Sequence, residues 1–583
     1  MKKLLALLLA SLMVVALFAG CSKKAEETSK EEASQGETSK EEASEEEAPA
    51  EEGGEEEAPA EEGGEEEAPA TEGRTLGDNG VYYGGYPSVD EPVTISVCHE
   101  RAAQTLEEDE NNKWAVKNAT ETTGIALEWN NLASGTSGEQ IPIMLAGGDL
   151  PDVFFELMSN SYILQYEEDF VPIEGWRDTY AANIFRIMEQ IDIWEKEAVT
   201  PSGHVYSGLR FYESLEDNSM NGIQIMNTTW LKNVGIDELP TDWDSYYAAL
   251  EAFRDQDANG NGDATDEIPY GWADGMWCAH LFANESGRFD IGTFDSDYFE
   301  ISTDGVVSCS RNTDRYKEYL QVVHQWYEDG LIDKEGFTDG WDELGNKVKN
   351  DKVGTYYSWT ALEYMGTEQA ANWDTIDRIG YPGHEGIQNG VKDLLTARHP
   401  GWVITTNCKI PEAACAYWDY LQSDPDLSIA MSYGEEGKLW GKYEDGSRYW
   451  IIPEATEDMN YENMKYSYGF VNGCPLVLKK DMPVYDEEIS PGSSLREQMV
   501  YQVKDKALEQ TQCMAPASYI PAEAAQEYSL YNSDIESAIN QFHGGAVVSG
   551  FEDAEWDAYV AQLDTLGLAD YIEYNQHRYD ADF

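Results

Sequence analysis

The chain has 583 residues, of which 112 are acidic and 38 are basic, so its formal net charge at pH 7 is −74. This charge repels phosphate backbones and anionic lipid headgroups, which argues against nucleic-acid binding and against membrane binding through a basic patch. The length is too great for one hydrophobic core and predicts two or more lobes. The acidity either favours a neutral or cationic ligand or serves solubility alone.

Residues 1–20 predict a cleaved signal peptide. Lys2 and Lys3 precede an apolar run, residues 4–18, that is short for a membrane span. The sequence Leu-Phe-Ala-Gly-Cys at positions 17–21 is typical of a lipobox, in which the thiol of Cys21 is lipidated and this cysteine becomes the mature N-terminus. Two acyl chains would hold the protein on the extracytoplasmic face of the cell membrane, with the lipid as its only membrane contact. The alternative is an ordinary secretory signal with an incidental cysteine.

Residues 21–74 predict a disordered acidic tether. The sequence ETSKEEAS occurs twice, from Glu27 and Glu37, and the unit EEEAPAEEGG then occurs twice, from Glu45 and Glu55. These repeats contain no apolar stripe, and their like charges favour an extended chain. The tether supplies 21 acidic and 5 basic residues, which leaves a net charge of −60 on residues 75–583.

Common signatures of catalysis are absent from the sequence. It contains no GxSxG, HExxH or P-loop motif, so we predict a protein that is not an enzyme and has no catalytic residues. A carboxylate pair acting as a glycoside hydrolase is a remaining alternative, since acidic residues are abundant. The seven cysteines after Cys21 show no zinc-site spacing, and the sequence does not predict their pairing.

The folded body begins with a strand–helix–strand pattern. Val93, Ile95 and Val97 alternate with polar residues, and a second alternating run starts at Ile125. Residues 111–122 between these runs can form a helix. The two strands are therefore predicted to be parallel neighbours in an α/β layer.

Later segments predict further helices. Thr241 is the predicted N-cap of one helix, and two others are predicted over residues 314–329, ending at Gly330, and over residues 553–566, ending at Gly567. Helices and strands alternate through the body, which predicts α/β lobes rather than an all-β or repeat architecture. Four tryptophans with helical or pre-helical spacing are predicted to lie in the core: Trp230, Trp243, Trp326 and Trp556.

The most specific motif is DANGNGDATDE, residues 257–267. Oxygen-bearing side chains stand at alternate positions, and two glycines allow the backbone to turn sharply. Such a loop can supply the oxygens that a hard cation requires, about six to eight for Ca²⁺. We predict a structural calcium ion held by Asp257, Asn259 and Asn261 through their side chains, by the carbonyl of Asp263, and by Asp266 and Glu267. The spacing departs from an EF-hand, and a metal-free Asn-Gly turn is the alternative.

Several segments, in order, resemble the family 1 extracellular solute-binding lipoproteins of carbohydrate ABC importers. These are MLAGGDLPDVF at 144–154, NTTWLKNVG at 227–235 with PTDW at 240–243, the loop DANGNGDATDEIPYG at 257–271, GWVIT at 401–405 with PEAA at 411–414, YGEEG at 433–437, and the C-terminal segment 566–579. In relatives the loop is a calcium site that is one residue shorter. The resemblance covers nearly all of the body.

This resemblance implies a two-lobed type II periplasmic-binding-protein fold of the α/β class that closes on a ligand in the cleft between its lobes. The expected first lobe comprises about 90–212 plus 395–475, and the second about 213–394 plus 476–583, within a body of residues 75–583. The implied function is capture of a carbohydrate, expected to be an oligosaccharide, by a monomer that delivers it to the permease subunits of an ABC importer. A surface glycan-binding adhesin or sensor, and a peptide ligand, are the alternatives.

Sugar sites combine flat aromatic side chains with carboxylates, amides and arginine. The residues predicted to bind the ligand lie in loops expected to reach the cleft or at the ends of predicted strands: Trp272, Asp274, Trp277, Tyr357, Trp359, Trp402, Arg101 and Asp152. For each aromatic residue the alternative is a place in the hydrophobic core.

Overall fold

The computed structural model describes residues 73–191, 194–210, 223–273, 286–291, 299–302, 304–358, 364–376, 379–384, 390–392, 400–456, 459–471, 475–484, 486, 489, 511–513 and 519–580. Cys21 and the predicted tether up to residue 72 lie outside these residues, as do Asp274, Trp277 and Trp359.

The strands are β1 (Thr75–Leu76), β2 (Tyr82–Tyr83), β3 (Val93–Glu100), β4 (Ile125–Leu132), β5 (Val153–Phe155), β6 (Ile223–Asn227), β7 (Ile268–Tyr270), β8 (Phe299–Ile301), β9 (Val307–Cys309), β10 (Val353–Ser358), β11 (Trp373–Thr375), β12 (Gly390–Lys392), β13 (Trp402–Ile404), β14 (Trp440–Lys442), β15 (Arg448–Trp450) and β16 (Thr511–Cys513). The helices are α1 (Trp114–Thr123), α2 (Ser137–Gly147), α3 (Asn160–Gln165), α4 (Ala182–Met188), α5 (Trp194–Ala198), α6 (Thr228–Asn233), α7 (Trp243–Asp255), α8 (Asp314–Asp329), α9 (Trp341–Lys349), α10 (Thr367–Ala370), α11 (Pro411–Leu421), α12 (Pro425–Tyr433), α13 (Tyr461–Tyr468), α14 (Ala522–Ser549), α15 (Asp553–Leu566) and α16 (Leu568–Asp580). Among the described helices, none is both long enough and apolar enough to span a membrane.

The first sheet has the strand order β13, β5, β3, β4. Strand β3 is parallel to β4, with Val93 opposite Ile125, and parallel to β5, while β13 is antiparallel to β5. The predicted parallel neighbours are therefore confirmed. Helix α1 begins at Trp114, later than predicted, because Lys113 still has an extended backbone with φ −63° and ψ 130°.

Both faces of the first sheet are buried, as expected for strands covered by helices on each side. Val97 and Val153 on one face pack into a cluster with residues of α1 and α11. Cys98 and Phe154, on the opposite face, pack with residues of α2 and α3. The carboxyl ends of β3, β4 and β5 meet at one edge of this sheet, which is where α/β proteins usually bind ligands.

The second sheet has the strand order β11, β6, β10, β7. Strand β10 is antiparallel to β6 and parallel to β7. Ile225 and Tyr356 belong to the same hydrophobic cluster as the first-sheet core, whereas Met226 and Tyr270 face a second cluster with α7, α8 and the C-terminal helices. The strands of this sheet lie between β5 and β13 in the chain, so the chain leaves the first sheet and later returns to it.

The N-terminus of α7 differs from its prediction by one residue. The cap is Asp242 and not Thr241, because the Asp242 side chain accepts a hydrogen bond from the Ser245 backbone N–H at 2.9 Å. The Ser245 hydroxyl oxygen in turn accepts a hydrogen bond from the Asp242 backbone N–H at 3.2 Å, which completes a capping box.

The helices predicted over residues 314–329 and 553–566 are confirmed at both ends. Helix α8 ends at Gly330 with φ 71°, and α15 ends at Gly567 with φ 93°. The predicted core tryptophans Trp230, Trp326 and Trp556 are buried, and Trp243, which is half-buried, stacks on Trp326 with ring centroids 5.6 Å apart.

A buried carboxylate joins α11 to the start of α4. Asp419 Oδ1 accepts hydrogen bonds from the backbone N–H groups of Asn183 and Ile184 at 2.7 and 3.0 Å, and Oδ2 accepts one from Asn183 Nδ2 at 2.8 Å. Burial nevertheless raises the pKa of Asp419 from 3.8 to about 6. The folded state therefore binds a proton more readily than the unfolded state between these two pH values.

We expect Asp419→Asn to remove the pH dependence of the unfolding free energy that comes from protonation of Asp419. As pH falls from about 6 to 3.8, the wild-type chain should gain about 1.4 kcal/mol of unfolding free energy per pH unit relative to the variant, since only the wild type takes up the proton. Chemical denaturation of both proteins across this range measures the difference. A difference that stays constant with pH would contradict the raised pKa.

Candidate functional site

The predicted cation loop lies between α7 and β7 at the edge of the second sheet where β7 and β10 begin. Gly260 and Gly262 have φ values of 74° and 96°. Residues with a side chain rarely adopt such values, which allow the loop to turn back on itself. Asn259 Oδ1 accepts a hydrogen bond from the backbone N–H of Asn261 at 2.9 Å, and Asn261 Oδ1 accepts one from Asp263 at 2.7 Å. The side chains of Asn259 and Asn261 therefore close the turn by binding its backbone.

Two carboxylate oxygens in this loop are buried without a hydrogen-bond partner. They are Asp257 Oδ1 and Glu267 Oε2. The other oxygen of each group is used, since Gly262 N–H donates to Asp257 Oδ2 at 3.0 Å and Ala258 N–H donates to Glu267 Oε1 at 2.9 Å. Buried, unpaired carboxylate oxygens are costly unless a cation compensates them. Their hard oxygen chemistry fits calcium.

The remaining predicted ligands also lie in the loop. Asp263 Oδ1 is turned toward Thr265, whose hydroxyl donates to it at 2.6 Å, so this side chain is engaged locally. Asp266 accepts hydrogen bonds from Asn259 Nδ2 at 3.3 Å and from Asn261 Nδ2 at 3.1 Å. The structure thus gathers all six predicted residues in one turn, while the ligand role of each stays a prediction.

A second acidic cluster already contains its own cation. The carboxylates of Asp333, Glu335 and Asp339 lie within 4.8 Å of one another. Lys347 Nζ lies among them, at 2.7, 2.8 and 2.6 Å respectively. Burial alone would lower the pKa of Lys347, but hydrogen bonds to Asp333 and Asp339 raise it above its ordinary value. The ammonium group therefore occupies the position that a metal ion would need.

The carboxyl edge of the first sheet gathers a buried polar group that the sequence analysis did not select. Glu156 directly follows β5 and has φ 62°, a strained conformation for this residue. Arg210 NH1 lies 2.5 Å from Glu156 Oε1, and both side chains are largely buried. Burial raises the pKa of Glu156, while the charge of Arg210 opposes this shift. Strained residues of this kind cluster at ligand sites.

His99, near the carboxyl end of β3, lies beside this pair. It is 8% exposed, its Nδ1 is 3.9 Å from Glu156 Oε2, and Nδ1 has no hydrogen-bond partner. Burial, together with the charge of Lys113, lowers the pKa of His99 to about 3. The imidazole is therefore neutral at pH 7, and its Nδ1 is a buried atom that can donate or accept one hydrogen bond according to the tautomer.

Aromatic rings surround the polar group. Trp129 on β4 stacks on Phe470 with ring centroids 5.3 Å apart and an interplanar angle of 22°. Lys113 Nζ lies 3.7 Å from the centroid of Phe470, and Trp129 Nε1 donates to Asn111 Oδ1 at 3.2 Å. Trp129 is half-buried, so part of the indole is accessible at this edge.

We name this group, formed by His99, Trp129, Glu156, Arg210 and Phe470, the carboxyl-edge cluster. It combines an aromatic platform with a carboxylate, a guanidinium and a neutral imidazole, a combination that suits a polyhydroxylated ligand. The available sequence signal was the position of Glu156 after the segment PDVFF, which ends a strand at the ligand-binding edge of the sheet.

The predicted aromatic ligand residues that the structure describes lie inside the protein. Trp272 is 1% exposed and donates from Nε1 to the Asp333 carbonyl at 2.7 Å. Trp402 is 2% exposed and stacks on Trp418 with ring centroids 5.2 Å apart. Tyr357 is 3% exposed on β10. Their part in ligand binding stays a prediction, and the contacts seen are those of core side chains.

The predicted polar residues Arg101 and Asp152 lie at opposite ends of the first sheet. Asp152 precedes β5, and its Oδ2 accepts hydrogen bonds from the backbone and hydroxyl of Ser96, both at 2.8 Å. Arg101 follows β3 at the carboxyl edge, where its Nε is 3.7 Å from Glu110 Oε1. Only Arg101 therefore lies at the same edge as the carboxyl-edge cluster.

We expect Trp402→Ala to lower the free energy of unfolding by about 3–5 kcal/mol, because it empties a buried indole site. Chemical denaturation measures this loss. Trp114→Ala is a suitable control, since Trp114 is 36% exposed and its removal should cost little. An unchanged stability together with weaker ligand binding would instead assign Trp402 to the ligand site.

Residues 107–426, more than half of the chain, match the sequence pattern of bacterial extracellular solute-binding proteins. The chain belongs to this family. Solute-binding proteins of this family act outside the cytoplasm, which agrees with the predicted N-terminal signal.

The individual relatives share a quarter or less of their aligned residues with this chain. The chain is 25% identical over 496 residues to the fructooligosaccharide ABC transporter substrate-binding protein FusA of Streptococcus pneumoniae serotype 4, covering 81% of this chain and 87% of FusA. It is 22% identical over 353 residues to lipoprotein LipO of Bacillus subtilis, covering 58% of this chain and 66% of LipO.

The fold comparison agrees with the family assignment. The structure of FusA from S. pneumoniae in complex with kestose matches with a TM-score of 0.71 and 23% identity, covering 84% of this chain and 99% of FusA. An EF-hand mutant of FusA in complex with fructo-nystose matches equally well. The predicted two-lobed α/β solute-binding fold is thereby confirmed for this member of the family.

Proposed function

We propose that this solute-binding protein captures a neutral oligosaccharide and delivers it to an ABC importer, without acting on the ligand as an enzyme. The observation that carries the proposal is the carboxyl-edge cluster, in which Glu156 and Arg210 form a buried pair beside the unpaired His99 Nδ1. The similarity to the fructooligosaccharide-binding FusA supports the same ligand class.

The chemistry of the cluster explains why a sugar suits it. The C–H face of a sugar ring packs on an aromatic surface, here that of Trp129, while its hydroxyl groups exchange hydrogen bonds with charged and polar side chains. Glu156 would accept from hydroxyl groups and Arg210 would donate to them. His99, neutral at pH 7, could do either according to its tautomer. The net charge of −60 on residues 75–583 disfavours an anionic saccharide.

The cation loop contributes to the proposal as a structural site. Asp257 and Glu267 would hold Ca²⁺ through their buried unpaired oxygens, with Asn259, Asn261, Asp263 and Asp266 as the further predicted ligands. A bound calcium ion would supply positive charge to these carboxylates and stabilise the loop. The EF-hand mutant of the similar FusA supports a cation site in this family.

We also propose that Cys21 carries the lipid anchor and that residues 21–74 space the body from the membrane, as a monomer. The similarity to lipoprotein LipO supports the anchor. The predicted lobe boundaries, about 90–212 plus 395–475 and about 213–394 plus 476–583, are part of the same proposal.

Thermal unfolding against a ligand panel tests the function. The chain without its signal peptide and with Cys21→Ala is heated with kestose, other neutral oligosaccharides, an acidic saccharide and a short peptide. A rise in the unfolding midpoint with a neutral oligosaccharide alone would support the proposal, since a ligand that binds only the folded state stabilises it by about 2.7 kcal/mol at a hundred times its Kd. A rise with the peptide only, or consumption of the sugar, would overturn it.

A further inference from the structure

Asp351 occupies the turn between α9 and β10 in an unusual backbone conformation. Its φ is 54°, in the left-handed region that asparagine and aspartate tolerate better than other residues with a side chain. The turn also closes through backbone hydrogen bonds from Asp351 to Val348 at 3.0 Å and from Lys352 to Lys347 at 3.0 Å. The backbone therefore presents both the side chain and the carbonyl of Asp351 to neighbouring elements.

The side chain of Asp351 binds the junction between β6 and α6. Its Oδ1 accepts hydrogen bonds from Trp230 Nε1 at 2.9 Å and from Asn227 Nδ2 at 3.1 Å. Asn227 is itself the N-cap of α6, because its Oδ1 accepts from the backbone N–H of Thr229 at 3.0 Å. One carboxylate thus holds the cap and the first buried indole of this helix.

The carbonyl of the same residue binds the cation loop. Asn259 Nδ2, on a predicted calcium ligand, donates to the Asp351 carbonyl oxygen at 3.2 Å. The next residue reinforces the contact, since the Lys352 carbonyl accepts from Ile268 N–H at 2.8 Å and Lys352 Nζ lies 3.8 Å from Asp266 Oδ2. Asp351 therefore touches the loop and the β6–α6 junction at once.

We propose that Asp351 is a positioning residue that orients Asn259 for cation binding and couples the cation loop to the β6–α6 junction. This inference rests on the proposed calcium site in the loop. Groups that orient metal ligands from outside the coordination sphere typically change metal affinity by about 10- to 100-fold when they are removed. This coupling is reciprocal. The free energy by which an ordered junction strengthens cation binding equals the free energy by which a bound cation stabilises the ordered junction.

Three variants separate the roles of the backbone and of the side chain. Asp351→Asn keeps an oxygen acceptor and tolerates the left-handed conformation. Asp351→Gly adopts that conformation freely but loses the acceptor for Trp230 and Asn227. Asp351→Ala loses the acceptor and also disfavours the left-handed conformation. We expect calcium affinity close to wild type for Asp351→Asn, weaker for Asp351→Gly, in which the carbonyl that binds Asn259 remains but no side chain anchors the turn, and weakest, by about 10- to 100-fold, for Asp351→Ala.

Calorimetric titration with CaCl₂ measures the affinity, and hydrogen–deuterium exchange of peptides spanning residues 223–233 measures the coupling. In the wild-type chain, calcium should slow exchange in these peptides relative to EDTA, and Asp351→Gly should remove this difference. Wild-type affinity in Asp351→Gly, even with lower thermal stability, would reduce Asp351 to a structural residue and overturn the inference. Absence of calcium binding in the wild type would instead overturn the proposed cation site itself, and with it this inference.

Discussion

Glu156→Gln should weaken oligosaccharide binding by about 10- to 100-fold, and it should also lower the free energy of unfolding, because the buried Arg210 guanidinium loses its carboxylate partner. The variant keeps the shape of the side chain and an oxygen acceptor for Arg210, but it loses the charge that strengthens a hydrogen bond to a sugar hydroxyl. A hydrogen bond to a buried charged group contributes about 1.5–3 kcal/mol, which corresponds to this loss of affinity. Calorimetric titration with kestose, or with the oligosaccharide that gives the largest thermal shift, measures the change.

Trp129→Ala should act through the aromatic platform at the same site. Loss of the indole removes the surface that faces the C–H groups of a sugar ring, and we expect about tenfold weaker binding. Val306→Ala is the control, because Val306 directly precedes β9 and is 59% exposed outside the carboxyl-edge cluster. Wild-type affinity in both Glu156→Gln and Trp129→Ala would place the ligand elsewhere and contradict the proposed site.

Removal of calcium should lower the unfolding temperature of the wild-type chain, and Asp257→Ala should abolish this response. Calcium at a hundred times its Kd would contribute about 2.7 kcal/mol to the free energy of unfolding, and EDTA would remove this contribution. The variant lacks one of the two buried unpaired oxygens in the loop, so its unfolding midpoint should be the same in CaCl₂ and in EDTA.

Asp339→Asn is the matched control for the calcium experiment. Asp339 belongs to the acidic cluster around Lys347, whose ammonium group lies 2.6 Å from its carboxylate. We expect this variant to keep the full calcium response, although its stability can change. Loss of the response in Asp339→Asn but not in Asp257→Ala would move the calcium site to the Lys347 cluster.

Features carried by short, continuous segments were predictable from the sequence. The bounds of α8 and α15 follow from helical spacing and from glycines that end each helix. The parallel pairing of β3 and β4 follows from alternation on both sides of a helical segment. The cation loop likewise lies within eleven consecutive residues, 257–267, so local composition was enough to identify it.

Single-residue details at element ends were less predictable, because neighbouring residues compete for the same role. Thr241 and Asp242 can both cap α7, and the choice of Asp242 depends on its pairing with Ser245. Burial of individual aromatic residues was also ambiguous, since Trp402 follows a loop in sequence yet stacks inside the core on Trp418.

The sequence by itself determined the family, the strand–helix–strand order that opens the body, the helices over residues 314–329 and 553–566, and the cation loop, because short continuous segments carry each of these features. Only the tertiary structure brought together His99, Glu156 and Arg210. His99 and Glu156 are close because β3 and β5 are parallel neighbours, and Arg210 reaches Glu156 from a separate segment of the chain. Likewise, Asp351 contacts Asn259 and Trp230 across intervals of 92 and 121 residues. No local periodicity encodes such contacts, since chain folding alone sets the distance between their side chains.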